Sequence, residues 1–235
     1  MRIAIDLHNH SCLSPCAENA MLPSIIALEA SEKHIDMVAL TDHNTTENLS
    51  AFKDAAEIVG ITPVYGMEIS TVEEVHLLSL FETIEQAQQF GKIIDESLIK
   101  FPNDPKFFGD QLIVDVEGNV TGQIEHMLYG PSTLSLDVLV SLILDHNGLA
   151  IPAHIDRNSN SIIANLGFIP DLPYSAVEIV NIPVEEDVSK WAVLQGSDAH
   201  YINHIGRRFC YIEADEPTFA GLRNALITKQ ISYRR

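Results

Sequence analysis

Short apolar runs alternate with amphipathic helical stretches along almost the whole chain, and this alternation restricts the fold more than any other feature. Residues 3–7, 37–40, 63–65, 75–81, 149–152, 176–180, 192–195 and 209–212 read as strands. Between them, Pro23 suits the first turn of a helix that carries Ile25, Ile26, Leu28 and Glu29. A second helix has Thr46 as its expected N-cap, an apolar face of Leu49, Phe52, Ala56 and Val59, and Gly60 as its stop. Residues 82–98 predict a third. Ser135 caps a strongly apolar one that runs through Leu144 and ends near Gly148, and residues 217–228 form a closing helix. Repeated βα units favour a mostly parallel sheet with helices outside, closed or nearly closed into a barrel. In such folds the reactive groups gather at the carboxyl ends of the strands.

One stretch departs from the alternation. Residues 111–123 read as a small hairpin around a Gly118-Asn119 turn, an excursion from the main fold. No internal repeat or low-complexity segment interrupts the rest. The 235 residues are enough for one domain with its own core, so a single domain over residues 1–235 is expected.

Composition narrows the partners. The chain is 46% hydrophobic and 20% charged, an ordinary balance for a soluble protein, and no run of 18 apolar residues suggests a membrane span. Asp6, His8 and His10 stand where a signal peptide needs apolar residues, so a cytoplasmic location is expected. Cys12, Cys16 and Cys210 are odd in number and too few for a disulfide framework. A net charge of −19 repels long nucleic acid, because only 14 Lys and Arg are present and none form a basic run. A small anionic substrate remains compatible, since bound divalent metals offset negative charge locally.

The polar residues fall in a telling place. His8 and His10 follow the first strand, Asp42 and His43 the second, and Glu68 the strand that reads as ending at Tyr65-Gly66. His154 follows the 149–152 run, and Asp198 and His200 follow the 192–195 run. Imidazole nitrogens and carboxylate oxygens together suit Zn, Mn, Fe or Ni. Spacing of His-x-His or Asp-x-His puts both side chains on one face of extended backbone. A lone His-x-His is a weak signal; its recurrence with other donors at five strand ends points to a metal site. His76, among Val75, Leu77 and Leu78, reads equally well as a core histidine. His34 and His146 lie near helix ends, where imidazole can favour the dipole, and His126 follows the excursion.

These motifs resemble those of the PHP (polymerase and histidinol phosphatase) family. Asp6-Leu7-His8-Asn9-His10-Ser11 resembles the family's opening motif and Thr41-Asp42-His43-Asn44 its second. Gly66-Met67-Glu68-Ile69-Ser70 resembles its glutamate motif, and Gly196-Ser197-Asp198-Ala199-His200 its closing one. The stretch from Ala150 through His154 to Arg157 matches the histidine motif between them, and all occur in the family's order. The resemblance implies an α/β fold, a distorted (βα)7 barrel, with two or three divalent metals (Zn, Mn or Fe) at the C-terminal ends of the strands. It places His8, His10, Glu68 and Asp198 on one metal, Glu68, His76 and His154 on a second, and His43 and His200 on a third. The family supplies one further ligand after the opening motif; here Pro15 stands at the aligned position, and Glu18 is favoured over Cys16 as the replacement.

The function so implied is a metal-dependent phosphoesterase acting on a small phosphomonoester or nucleotide phosphate through metal-activated water. Arg157, and Arg207 or Arg208, are candidate phosphate clamps, and His200 is a further candidate at the reacting centre. Asp6 and Asp42 are candidates to orient ligand histidines. Competing readings are an amidohydrolase-like C–N hydrolase, an exonuclease on short oligonucleotides, and a non-catalytic regulatory domain. The first usually needs a carboxylated lysine on a strand, and no Lys here follows a strand suitably; the last fits poorly with eight of nine family ligands retained.

Overall fold

The computed structural model describes residues 1–233 and realises the alternation as follows. The elements are β1 (Arg2–Asp6), α1 (Pro23–Glu32), β2 (Met37–Leu40), α2 (Leu49–Val59), β3 (Thr62–Ser70), β4 (His76–Phe81) and α3 (Ile84–Ser97). They continue with α4 (Pro105–Phe108), β5 (Leu112–Val114), β6 (Val120–Gln123), α5 (Leu136–Asp145), β7 (Leu149–Pro152) and α6 (Ile162–Leu166). The chain ends with β8 (Val177–Glu178), β9 (Val193–Leu194), β10 (Cys210–Glu213), α7 (Phe219–Thr228) and β11 (Ile231–Tyr233).

The main sheet has the order β11-β10-β1-β2-β3-β4-β7. Strands β1, β2 and β3 are parallel, as βα units require. The sheet is less parallel than the alternation implied, because β4 runs antiparallel to both β3 and β7. The cause is local: β3 continues past Gly66 to Ser70, and only the turn closed by Thr71 N–H donating to Val75 O separates it from β4. Five residues cannot make a crossover, so the strands pair as a hairpin. Glu68 therefore lies within a strand rather than after one.

Short contacts carry the pairing round from β7 towards β1. Ser175 N–H donates to Ala150 O and Ile155 N–H to Glu178 O, which ties β7 to β8. Strands β8 and β9 are parallel, and beyond them Asn9 and Ala199 form a parallel bridge. The α/β fold is thus a curled, barrel-like sheet with β10 and β11 added on the outer side of β1.

Side-chain alternation divides the core. Ile3, Ile5, Leu7, Met37, Ala39, Leu78, Leu80 and Ile151 point to one face and cluster with Leu222 and Leu226 of α7. Val38, Leu40, Leu77 and Phe81 point to the other and pack under α1, α2, α3 and α5 with Ile26, Phe52, Phe90 and Leu139. Each such fully buried aliphatic or aromatic side chain contributes about 1.5–3 kcal/mol.

Helix ends follow the expected chemistry with two exceptions, one of them Ser135, which stands at the N-cap position of α5 but donates its hydroxyl to Asp137 Oδ1 and makes no capping bond. Gly60 takes the left-handed conformation (φ 77°) that ends α2, and Thr83 and Gln86 form a capping box at α3. Thr46 is not the cap of α2; Asn48 occupies that position without capping. Its side chain is spent elsewhere, donating to Ser11 Oγ and Leu112 O and accepting from Val114 N–H. It thereby ties β5 of the β5–β6 hairpin to the opening motif. No helix among the described residues is long and apolar enough to cross a membrane.

Candidate metal centre

Glu68 is the hub. Its carboxylate is buried, with Oε1 2.8 Å from His76 Nδ1, 3.0 Å from His154 Nε2 and 3.3 Å from His8 Nε2. Oε2 lies 3.2 Å from both His10 Nε2 and His43 Nδ1. Asp198 Oδ1 lies 3.6 Å from His8 Nε2 and 3.5 Å from His10 Nε2, and it is buried with no hydrogen-bond partner. The two Nε2 atoms are themselves 3.1 Å apart. Donor atoms about 2.1 Å from a tetrahedral ion stand about 3.4 Å from one another. His8 Nε2, His10 Nε2 and Asp198 Oδ1, the last an orphaned carboxylate oxygen, stand 3.1–3.6 Å from one another and therefore fit a cation between them, with the Glu68 carboxylate against both imidazoles. His10 also groups with His43 and His200, and His43 with Glu68 and His76, so the clusters share members.

The electrostatics suit cation binding. Burial alone would raise the Glu68 carboxyl, but the imidazoles of His76, His8 and His43 hold it well below the usual range. Asp198 is likewise held low against burial by His8 and His10. Burial pushes His43 and His76 down and His200 to about 3, each against the pull of a carboxylate. Ionised carboxylates and neutral imidazoles are the forms that bind metals; His8 and His10 are instead held up, against burial, by Glu178, Glu68 and Asp198, so a cation entering between them displaces protons.

Eight of the nine expected ligand residues, His8, His10, His43, Glu68, His76, His154, Asp198 and His200, thus meet in one cluster. Glu18 does not join them. Its loop folds back through Ala17 N–H to Ser14 O and Glu18 N–H to His200 O, leaving the Glu18 side chain exposed and Cys16 lining the cavity.

The supporting layer differs from expectation. Asp6 touches no cluster imidazole; it accepts from the N–H groups of Ser197 and Gly206 and so holds the Asp198 loop. Asp42 acts through Ser14, whose hydroxyl donates to Asp42 Oδ1 and lies 3.0 Å from His10 Nδ1. The residue that orients His8 is Glu178, with Oε2 2.8 Å from His8 Nδ1 and accepting from His154 N–H. That contact leaves His8 Nε2 free to face the cluster. The available signal was an acid set inside the apolar 176–180 run. Gly196 is needed beside it, because a Cβ there would meet Glu178 Oε1 and His8 Cβ. His154 and Asp198 both hold positive φ (32° and 47°), strain of the kind found where a site over-determines its backbone. Glu178→Ala is expected to weaken metal affinity about 10- to 100-fold. Competition with a chelator measures this, and wild-type affinity would count against the role.

A cavity of about 400 Å³ opens over the cluster. Arg157, Arg207 and Arg208 line it, three of the chain's 14 basic residues. Arg157 Nη1 donates to Asp198 Oδ2 at 2.6 Å, and its side chain is 42% exposed. Arg207 and Arg208 are more committed: they donate to Ser197 O and Asp198 O, and to Gly196 O and Ser197 O, and so brace the closing motif. His126 lies elsewhere, 3.6 Å from Asp95.

The family model for the PHP domain matches residues 6–144. The lesion-specific endonuclease EndoQ from Pyrococcus furiosus superposes with a TM-score of 0.71 at 19% identity, over 99% of this chain and 58% of that one. A two-domain protein from Bacteroides vulgatus, containing a predicted PHP-like metal-dependent phosphoesterase, gives 0.62 at 15% identity, over 100% and 65%. An amidohydrolase from Chromobacterium violaceum gives 0.54 at 20% identity, over 97% of both chains. The chain thus spans less than two thirds of the first two proteins, and at these identities the likeness is one of fold. Comparison with curated proteins yields no match.

Proposed function

The chain belongs to the PHP domain family, and from that membership we propose that it is a metal-dependent phosphoesterase acting on a small phosphomonoester or a nucleotide phosphate. The observation that carries this reading is the vertical order of the site: a Glu68-centred imidazole cluster beneath, with the orphaned Asp198 oxygen, and a guanidinium-lined cavity above. His8, His10, Glu68 and Asp198 would hold one divalent ion, Glu68, His76 and His154 a second, and His43 and His200 a third. Bound divalent ions supply Lewis acidity and a water acidic enough to attack near neutral pH.

The chain's own residues do the rest. Arg157 has one N–H on Asp198 and further donors free, so it can turn two of them to a phosphate without leaving a buried charge unpaired. Arg207 and Arg208 add positive charge from fixed positions, which favours an anion in a chain of net charge −19. His200, held neutral by burial, suits a ligand role and not that of a proton donor at neutral pH.

Arg157→Ala is expected to lower kcat/KM about 10- to 100-fold with metal content retained, the loss of a charge-assisted contact worth about 1.5–3 kcal/mol. Unchanged kinetics would remove Arg157 from the clamp. The test of the reaction class is a phosphatase screen with Mn, Zn and Fe against monophosphates, bisphosphates and short oligonucleotides. Failure to release phosphate from any monoester would sink the reading.

A further inference from the structure

Tyr129 is a wall of the cavity that none of the strand-end motifs supplies. It lies between β6 and α5, and its ring packs edge-on against His43 and His76, with centroids 5.2 and 6.3 Å apart. Asn160, which lines the same cavity, donates from Nδ2 to the Tyr129 hydroxyl at 3.0 Å. Asn160 is itself fixed by the cluster, since its carbonyl accepts from His76 N–H at 3.1 Å. A phenolic oxygen that accepts one hydrogen bond still has its own proton to give. No described residue accepts that proton; the one hydrogen bond of the hydroxyl is the one it receives from Asn160. The residue is 41% exposed and lines the cavity, so the hydroxyl has access to whatever occupies it.

We propose that Tyr129 is a substrate-contacting residue, whose hydroxyl, steered by Asn160, donates a hydrogen bond to an oxygen of the phosphate ester lying over the His43–Glu68–His76 side of the cluster. The assignment rests on the phosphoesterase reading. Its chemistry complements the arginines. Guanidinium groups attract the anion from a distance, whereas a neutral hydroxyl aimed by a fixed partner selects one oxygen and one orientation. A hydrogen bond to a charged phosphoryl oxygen is stronger than one between neutral groups, so its removal has a measurable effect.

The experiment uses metal-loaded protein, p-nitrophenyl phosphate as substrate and inorganic phosphate as competitive inhibitor. Tyr129→Phe deletes one oxygen and keeps the ring against His43 and His76. The expected result is a fall in kcat/KM of about 10- to 100-fold. Phosphate inhibition weakens in parallel, and the metal content found by elemental analysis stays that of the wild type. Asn160→Ala should show a smaller loss in the same direction. Wild-type kcat/KM and phosphate inhibition in Tyr129→Phe would overturn the proposal, as would loss of bound metal from that variant, which would make the residue part of the cluster's scaffold. If the wild-type protein neither hydrolyses the ester nor binds phosphate, the phosphoesterase reading itself fails and this assignment falls with it. Wild-type activity alongside an unimpaired Tyr129→Phe sinks the assignment alone.

Discussion

Replacing His8 and Asp198 together by alanine should abolish metal-dependent phosphatase activity, a loss on the order of 10³-fold or more. The two residues stand 3.6 Å apart beside His10 and Glu68, and Asp198 Oδ1 is buried with no hydrogen bond. Removing both leaves His10 and Glu68, too few donors to hold an ion in a defined geometry. The Lewis-acid contribution, several kcal/mol, is then lost, and each 1.4 kcal/mol is tenfold in rate. The double variant is preferable to either single one. Either single change leaves His10, Glu68 and one further donor beside the ion, whereas the pair leaves only two. Assays in excess Mn, Zn and Fe separate weak binding from absent binding. Activity retained by the metal-replete double variant would refute the assignment of these residues.

Glu68→Gln should strip the centre more widely than any other conservative substitution. The Glu68 carboxylate lies within 3.3 Å of a nitrogen of His8, His10, His43, His76 and His154. Glutamine keeps the volume but removes the charge and turns one acceptor into a donor. It also loosens the metal-free protein. The carboxylates of Glu178, Glu68 and Asp198 hold His8 well above its ordinary value against burial. Their charge thus favours the protonated form of His8 in the absence of metal. Taking away one partner of a buried ion pair costs about 3–5 kcal/mol, an upper figure here because Glu178 and Asp198 remain. Elemental analysis and denaturant unfolding of metal-stripped protein measure the two effects separately. Wild-type metal content in the Gln variant would show that Glu68 is not the bridge.

Much of the fold is legible before any coordinates. The 37–40 and 149–152 runs are strands with the expected bounds, and Gly60 and Pro23 mark helix ends as their backbone preferences dictate. The misreadings have local causes. Gly66 looked like the end of a strand, yet β3 passes through it to Ser70 because Ser79 O and Leu80 pack against the bare Cα. Thr46 looked like a cap because Thr is a good one, but Asn48 took the position and gave its side chain to distant partners. Ligand chemistry favours Glu18 over Cys16, whereas the backbone of the 14–18 loop turns Glu18 outward. Arg207 or Arg208 reads from the sequence as a phosphate clamp; both line the cavity, and each gives two of its five N–H donors to the backbone of the closing motif.

Donor types and their places along the chain follow from the sequence alone, because both depend on short-range rules. A two-residue side-chain period puts His8 with His10 on one face, and an apolar run followed by polar residues puts them at a strand end. Which donor meets which was decided only by tertiary closure. Glu68 reaches His154 across 86 residues, and His8 reaches Glu178 across 170. Such contacts follow from strand order and curl, which no local pattern encodes. That is why Tyr129 and Asn160 carry no motif signal, and Glu178 only that of an acid in an apolar run, yet all three stand beside the cluster.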